Sequence, residues 1–160
     1  MAHRFFVLDI FLQKLFLSDR FCLPHKKGAV EIKTDRVVLV CKAYIFPAIK
    51  YAIETQFPNL EIYSCNLNEL PAVLVRENDL IFVEMIPSES FLEYFSRWRN
   101  SLIREMWERI VGLYSESLEF YTEGFGVSPN DLPKHTVFYR RPGGKRVGDG
   151  VIRKIQELLD

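Results

Sequence analysis

The sequence has few cysteines, no excess of charge of either sign and no apolar run long enough to cross a membrane. Its 160 residues include three cysteines and no Cys-x-x-Cys spacing. An odd number of cysteines without this spacing argues against a disulfide framework and against a zinc site. It is typical of proteins in the reducing cytoplasm. Lysine plus arginine (21) equals aspartate plus glutamate (21), so no net charge draws the chain to nucleic acid or to an anionic membrane.

The most apolar segment lies at the amino terminus, in residues 5–17. Asp9 and Lys14 interrupt it and no small-residue cleavage site follows it, so it is neither a membrane span nor a typical signal peptide. We expect an amphipathic helix that docks on the domain or on a partner. Residues 1–35 would then be an amino-terminal helix and connector, and residues 36–160 the domain itself.

From Arg36 onward, short apolar runs alternate with helical patterns. Runs of this kind, rich in β-branched residues, are typical of strands buried on both faces of a parallel sheet. Five strands are predicted over residues 37–40, 60–63, 80–83, 110–114 and 136–139. Helices are predicted over residues 44–57, 88–106 and 147–159, and a weak helix interrupted by Pro71 over residues 66–77. The glycines and prolines of residues 120–133 predict an irregular stretch. The alternation predicts an α/β fold with a doubly wound, five-stranded parallel sheet and right-handed crossovers.

Function in such a fold lies beyond the carboxyl ends of the strands. The residues predicted at these ends are Cys41-Lys42, Ser64-Cys65, Glu84-Met85, Tyr114-Ser115 and Arg140-Arg141-Pro142. Because parallel strands end at one edge of the sheet, we expect these side chains to share one surface.

Three segments resemble the receiver domain of two-component response regulators. RVVLVCKAYIFPAIKYAIE resembles its first strand and helix, NDLIFVEM its third strand, and HTVFYRRPGG its fifth strand with a basic residue before proline. The separations from Lys42 to Glu84 (42 residues), from Glu84 to Ser115 (31) and from Ser115 to Arg141 (26) are close to those of the family. The resemblance covers residues 36–160 and implies the strand order 2-1-3-4-5 of receivers and flavodoxins.

The departures from the family pattern bear on the chemistry. At the receiver-equivalent positions, Cys41 and Lys42 replace the acidic pair, and Glu84 replaces the phosphoacceptor aspartate. The hydroxyl position holds Ser115, or Tyr114 if the register slips by one. Arg141 replaces the lysine, before Pro142. Magnesium needs hard oxygen ligands, which a thiol and an ammonium group do not supply. The three histidines also lack metal-ligand spacing. We therefore expect no metal, no cofactor and no catalysis.

We interpret Glu84 as a fixed negative charge held between Lys42 and Arg141, where metal and phosphoryl group would otherwise lie. Two versions stay open: a plain structural ion pair, or a constitutive mimic of the phosphorylated state that draws Ser115 inward. Cys41 likewise stays open between a buried small hydrophobe and a redox-sensitive thiol made acidic by Lys42.

The resemblance implies a cytoplasmic regulatory module that acts through protein–protein contacts, without phosphorylation. Residues 133–160 hold seven Lys/Arg against three Asp/Glu, and residues 54–93 hold one against eight. Such polarised charge favours association with a second copy or a protein partner, and we expect a homodimer. Many relatives carry a carboxyl-terminal DNA-binding output domain, which implies the amino-terminal part of a transcriptional regulator. No helix-turn-helix is visible here, so we expect no nucleic acid to bind these residues.

Two alternatives remain. The first is a flavodoxin-like cofactor-binding protein, although the CKAYIFP loop (residues 41–47) has no glycine that would let a phosphate approach the main chain. The second is a stand-alone adaptor that docks through its amino-terminal apolar helix.

Overall fold

The computed structural model describes residues 34–139 and 147–159. Its sheet consists of Arg36–Val40 (β1), Glu61–Ser64 (β2), Asp79–Glu84 (β3), Ile110–Tyr114 (β4) and His135–Phe138 (β5). The strands are parallel and lie in the order β2-β1-β3-β4-β5. This is the flavodoxin-like and receiver-like topology, and it confirms the predicted sheet. The amino-terminal helix predicted over residues 5–17 lies outside the described residues.

Helices alternate with the strands, as predicted. They are Phe46–Gln56 (α1), Glu89–Asn100 (α2), Arg104–Trp107 (α3), Leu118–Phe125 (α4) and Val147–Leu159 (α5), with 3-10 turns at Leu67–Glu69, Ala72–Leu74 and Pro129–Asp131. In the part of the chain that the structure describes, no helix combines the length and the apolar character that crossing a bilayer requires.

The core has two layers, one on each face of the sheet. On one face, Val37 and Leu39 of β1 pack with α1 and α5. On the other face, Val38 and Val40 pack with α2 and α4. Every residue of β1, β3 and β4 is buried, which is the expected state of central strands covered on both faces. The two helices of the first layer approach closely at Gly148, where a β-carbon would lie 3.0 Å from the carbonyl oxygen of Ala48.

The weak helix predicted over residues 66–77 does not form, although the interruption predicted at Pro71 is present. Two single 3-10 turns replace it, one before and one after Pro71. Proline has no N–H to donate and pushes the residue before it towards extended backbone, so a helix cannot continue through this point. The first turn is closed instead by a capping box, in which the main-chain N–H of Asn66 donates to Glu69 at 3.0 Å.

The helix predicted over residues 88–106 is interrupted. It begins as expected, with Ser88 capping the N–H of Phe91 at 3.2 Å, but it ends at Asn100 and a separate turn forms α3. Side chains donate hydrogen bonds to main-chain carbonyl groups at the end of α2. The Ser101 hydroxyl donates to the carbonyl of Trp98, and the Trp107 indole N–H donates to the carbonyl of Arg99. Because α3 also covers the core, the apolar pattern continues past the end of the helix.

The irregular stretch predicted over residues 120–133 is partly helical. Ser117 caps α4 by accepting a hydrogen bond from the N–H of Phe120, and the helix runs to Phe125. It ends at Gly126, which adopts a left-handed conformation with φ of 65°. Glycine at this position is a common helix stop signal, so the same residue that argued against a long helix marks the end of a short one.

Candidate functional site

Glu84 is the last residue of β3, the middle strand of the sheet. Its carboxylate therefore lies at the edge of the sheet where the parallel strands end. The strand pairs with β1 on one side and β4 on the other. Only 2% of the Glu84 surface is exposed. A buried carboxylate needs hydrogen-bond donors to offset the loss of water, and the surrounding loops supply them.

Three described donors reach the Glu84 carboxylate. The main-chain N–H of Lys42 donates to Oε2 at 2.8 Å. The hydroxyl of Tyr44 donates to Oε1 at 2.5 Å, and the hydroxyl of Tyr139 donates to the same oxygen at 3.1 Å. The two tyrosine oxygens lie 3.3 Å apart. The arrangement ties Lys42 and Tyr44, which follow β1, and Tyr139, which follows β5, to the end of β3.

The predicted role of Lys42 is only partly addressed by these contacts. Its described hydrogen bond to Glu84 runs through the main-chain amide, and its side chain is exposed. Arg141, the other predicted partner, and Pro142 lie outside the described residues. The ion pair that would hold Glu84 between Lys42 and Arg141 therefore stays a prediction.

The two candidates for the hydroxyl position differ sharply in environment. Ser115 directly follows β4 and is half-buried. Tyr114 is fully buried, and its ring contacts Tyr121 edge-on at 5.2 Å. Burial raises the pKa of the Tyr114 hydroxyl above its usual value. The described hydroxyl donors on Glu84 are Tyr44 and Tyr139, and not these two residues.

Cys41 lies between β1 and the Glu84 site and is half-buried. Burial, with a smaller contribution from the Glu84 charge, raises the pKa of its thiol to about 12. The thiol therefore stays protonated at neutral pH, although reactivity towards oxidants requires the thiolate. This environment favours the interpretation of Cys41 as a small apolar residue over that of a redox sensor.

The tyrosines at this site were not predicted from the sequence. Tyr139 falls in the predicted fifth strand and Tyr44 in the helix predicted over residues 44–57, and neither pattern indicates a role at the site. Burial raises the pKa of Tyr139, and the hydrogen bond with Tyr44 and the charge of Glu84 raise it further. The one available signal is that Tyr139 ends the predicted fifth strand and that Tyr44 lies four residues after the predicted first strand.

The donor set does not fit a divalent metal. Among residues 34–139 and 147–159, no group of three or more histidine, cysteine or carboxylate side chains comes together. Glu84 is accompanied by a protonated thiol and by hydroxyl and amide donors, whereas magnesium takes oxygen acceptors, usually with more than one carboxylate.

The chain matches no protein-family model and no curated protein. Its likeness to receivers and flavodoxins consists of the sheet topology.

Proposed function

We propose that this chain is a pseudo-receiver, a regulatory module of the response-regulator type that acts through protein–protein contacts and is not phosphorylated. The proposal extends to its role as the amino-terminal part of a transcriptional regulator, which the resemblance of the three segments suggests. The observation that carries the proposal is the state of Glu84 at the end of β3. By the resemblance, its carboxylate takes the phosphoacceptor position, yet it is buried and already accepts hydrogen bonds from Lys42, Tyr44 and Tyr139.

These contacts oppose phosphoryl transfer in two ways. A nucleophilic oxygen must approach phosphorus in line with the leaving group, but Oε1 accepts two tyrosine hydroxyls and Oε2 accepts a main-chain amide. The developing negative charge also needs a cation-binding group of carboxylates, and the neighbouring positions hold Cys41 and Lys42. The same hydrogen bonds hold Lys42, Tyr44 and Tyr139 at the end of β3.

An apolar surface beside the site supports protein–protein contact. Phe120 of α4 is 45% exposed and Phe138 of β5 is 55% exposed. The rings are linked through the buried Tyr121 and Tyr114, with centroid distances of 5.9, 5.2 and 5.6 Å along the series. Exposed aromatic residues of this kind are typical anchors of protein interfaces. We propose that they belong to the contact between two copies of the chain.

The absence of phosphotransfer is tested with a small phosphodonor. Purified protein is incubated with Mg²⁺ and acetyl phosphate, and its intact mass is measured before and after treatment with acid. We expect no phosphoryl adduct. A stoichiometric, acid-labile adduct would show that Glu84 or a neighbour is a phosphoacceptor, and it would overturn the proposal.

The homodimer is tested by sedimentation of the protein and of two variants. Phe138→Ser should shift the equilibrium towards monomer, since it removes an exposed ring from the proposed contact. Tyr51→Ser is the matched control, because Tyr51 is a 73% exposed ring on α1. A protein that is monomeric at all concentrations, or a dimer that both variants weaken equally, would contradict this arrangement.

A further inference from the structure

A cleft of about 370 Å³ lies beside Glu84, beyond the carboxyl ends of β1 and β3. The helix that follows β1, α1, packs on one face of the sheet, and the helix that follows β3, α2, packs on the other. The two neighbouring strands thus lead to opposite faces, which creates a crevice between them. In open α/β sheets, this switch in direction is where ligands bind, and the volume is within the range of small-molecule sites.

Part of the cleft wall is apolar. It includes Leu67, which is buried, and Phe91 and Tyr94 on α2. The Phe91 ring is held by stacking on Phe95, with centroids 6.4 Å apart. The Tyr94 ring is 39% exposed. The wall therefore offers an aromatic surface, open to solvent, for the apolar body of a ligand.

The same lining also carries groups that suit an anion. Lys42 contributes an exposed lysine, and Asn68 contributes a side-chain amide. Ser90 lies in the first turn of α2, whose N–H groups form the positive end of the helix dipole. Glu84, the one carboxylate of the lining, is buried and accepts the three hydrogen bonds described above.

We propose that this cleft binds a small amphipathic carboxylate, with its apolar body against Leu67, Phe91 and Tyr94 and its carboxylate at Lys42. The inference rests on the proposed function in one respect: such a ligand would be the signal that a phosphoryl group provides in a receiver. The ligand would bridge the loop after β1 and the start of α2, so its binding would alter the surface that a partner meets.

Three probes of one shape and different charge test the specificity. They are 1-naphthoate, 1-naphthalenemethanol and 1-naphthylmethylammonium, titrated into the ¹⁵N-labelled full chain while amide shifts are followed by NMR. We expect saturable shifts of the Lys42, Asn68 and Phe91 amides. One partly exposed ion pair gives naphthoate an advantage of about fivefold in Kd over the neutral alcohol.

Two lysine variants and one blocking variant locate the site. Lys42→Met should remove the preference for naphthoate while the affinity for the alcohol is kept, since the main-chain amide that serves Glu84 is unchanged. Lys50→Met is the matched control, because Lys50 is an exposed lysine on α1 that faces Glu54 at 3.8 Å. Asn68→Trp places a large ring in the cleft at an exposed position and should abolish the shifts with all three probes.

Several results would overturn the inference. The first is that naphthoate shows no saturable binding. The second is that the ammonium probe binds more tightly than naphthoate, which would mean that the Glu84 charge determines the specificity. The third is that the Lys42→Met variant still prefers naphthoate over the alcohol. The phosphodonor experiment is run on the same protein and separates the two proposals. If the probes do not bind and no phosphoryl adduct forms, only the proposed ligand site is contradicted. If an adduct forms, the proposed pseudo-receiver function is contradicted.

Discussion

The hydroxyl of Tyr139 donates a hydrogen bond of 3.1 Å to the carboxylate of Glu84. It joins the residue that follows β5 to the last residue of β3, although β4 lies between the two strands. The bond is buried and its acceptor is a charged group. Such bonds contribute more to stability than neutral surface bonds, because the carboxylate has no water to replace a lost donor.

Replacing Tyr139 with phenylalanine tests this bond. The ring is kept and one donor to the buried carboxylate is lost, so we expect Tyr139→Phe to lower the free energy of unfolding by about 1.5–3 kcal/mol. Urea denaturation measures the change. Tyr51→Phe, at a 73% exposed position, should change stability by less than about 0.5 kcal/mol. Equal effects of the two substitutions would mean that the Tyr139 hydroxyl contributes nothing at the site.

Arg36 and Asp79 form a buried ion pair at the amino end of the sheet. The guanidinium donates to both carboxylate oxygens, at 2.8 and 2.6 Å, and the Arg36 and Asp79 side chains are 6% and 1% exposed. Asp79→Asn would leave a buried arginine without its counter-charge, and we expect a loss of about 3–5 kcal/mol.

An exposed pair provides the comparison for that loss. Lys134 and Glu108 lie 2.8 Å apart but are 77% and 55% exposed, so Glu108→Gln should cost at most about 1 kcal/mol. Chemical denaturation of both variants measures the difference. Similar losses would contradict the claim that burial, and not the ion-pair distance, decides how strongly the partner is needed.

Gly112 makes room for the side chain of Tyr114 on the same face of β4. A β-carbon at residue 112 would overlap the tyrosine ring. Because Tyr114 is fully buried and the ring cannot move without displacing the core, we expect Gly112→Ala to destabilise the protein by about 1–3 kcal/mol. Thermal unfolding measures this change. Gly124→Ala is the control, since no atom lies within 4 Å of the added carbon; there a gain of about 0.5–1 kcal/mol is expected in α4.

Cys41 gives a testable pH dependence. Its thiol pKa is raised from 9.0 to about 12 in the folded protein, so the folded state holds its proton while the unfolded chain releases it. The stabilisation is complete below pH 9 and is lost as the pH rises towards 12. Cys41→Ala should therefore make stability fall less steeply between pH 9 and 11, as measured by urea denaturation at several pH values. If Cys41→Ala leaves the pH dependence of stability unchanged, the Cys41 thiol is in contact with water in the folded protein.

Much of the fold was predictable because parallel strands that are buried on both faces have continuous apolar sequences. All five predicted strands are present, and each differs from the observed strand by at most one residue at either end. The helical predictions were less accurate. Apolar residues continue beyond Asn100 because α3 and the loop before it, with the buried Leu102, also cover the core, and periodicity alone does not distinguish one helix from two.

The amino-acid sequence by itself determined the sheet and the identity of the residues at its carboxyl edge, because strand ends follow directly from where each apolar run stops. Only the tertiary structure decided what Glu84 contacts there. Tyr139 is 55 residues away along the chain, and Lys42 donates through its main-chain amide, which every residue except proline possesses. Main-chain donors and long-range hydroxyl contacts leave no pattern in a sequence, since their geometry exists only once the loops have packed against the completed sheet.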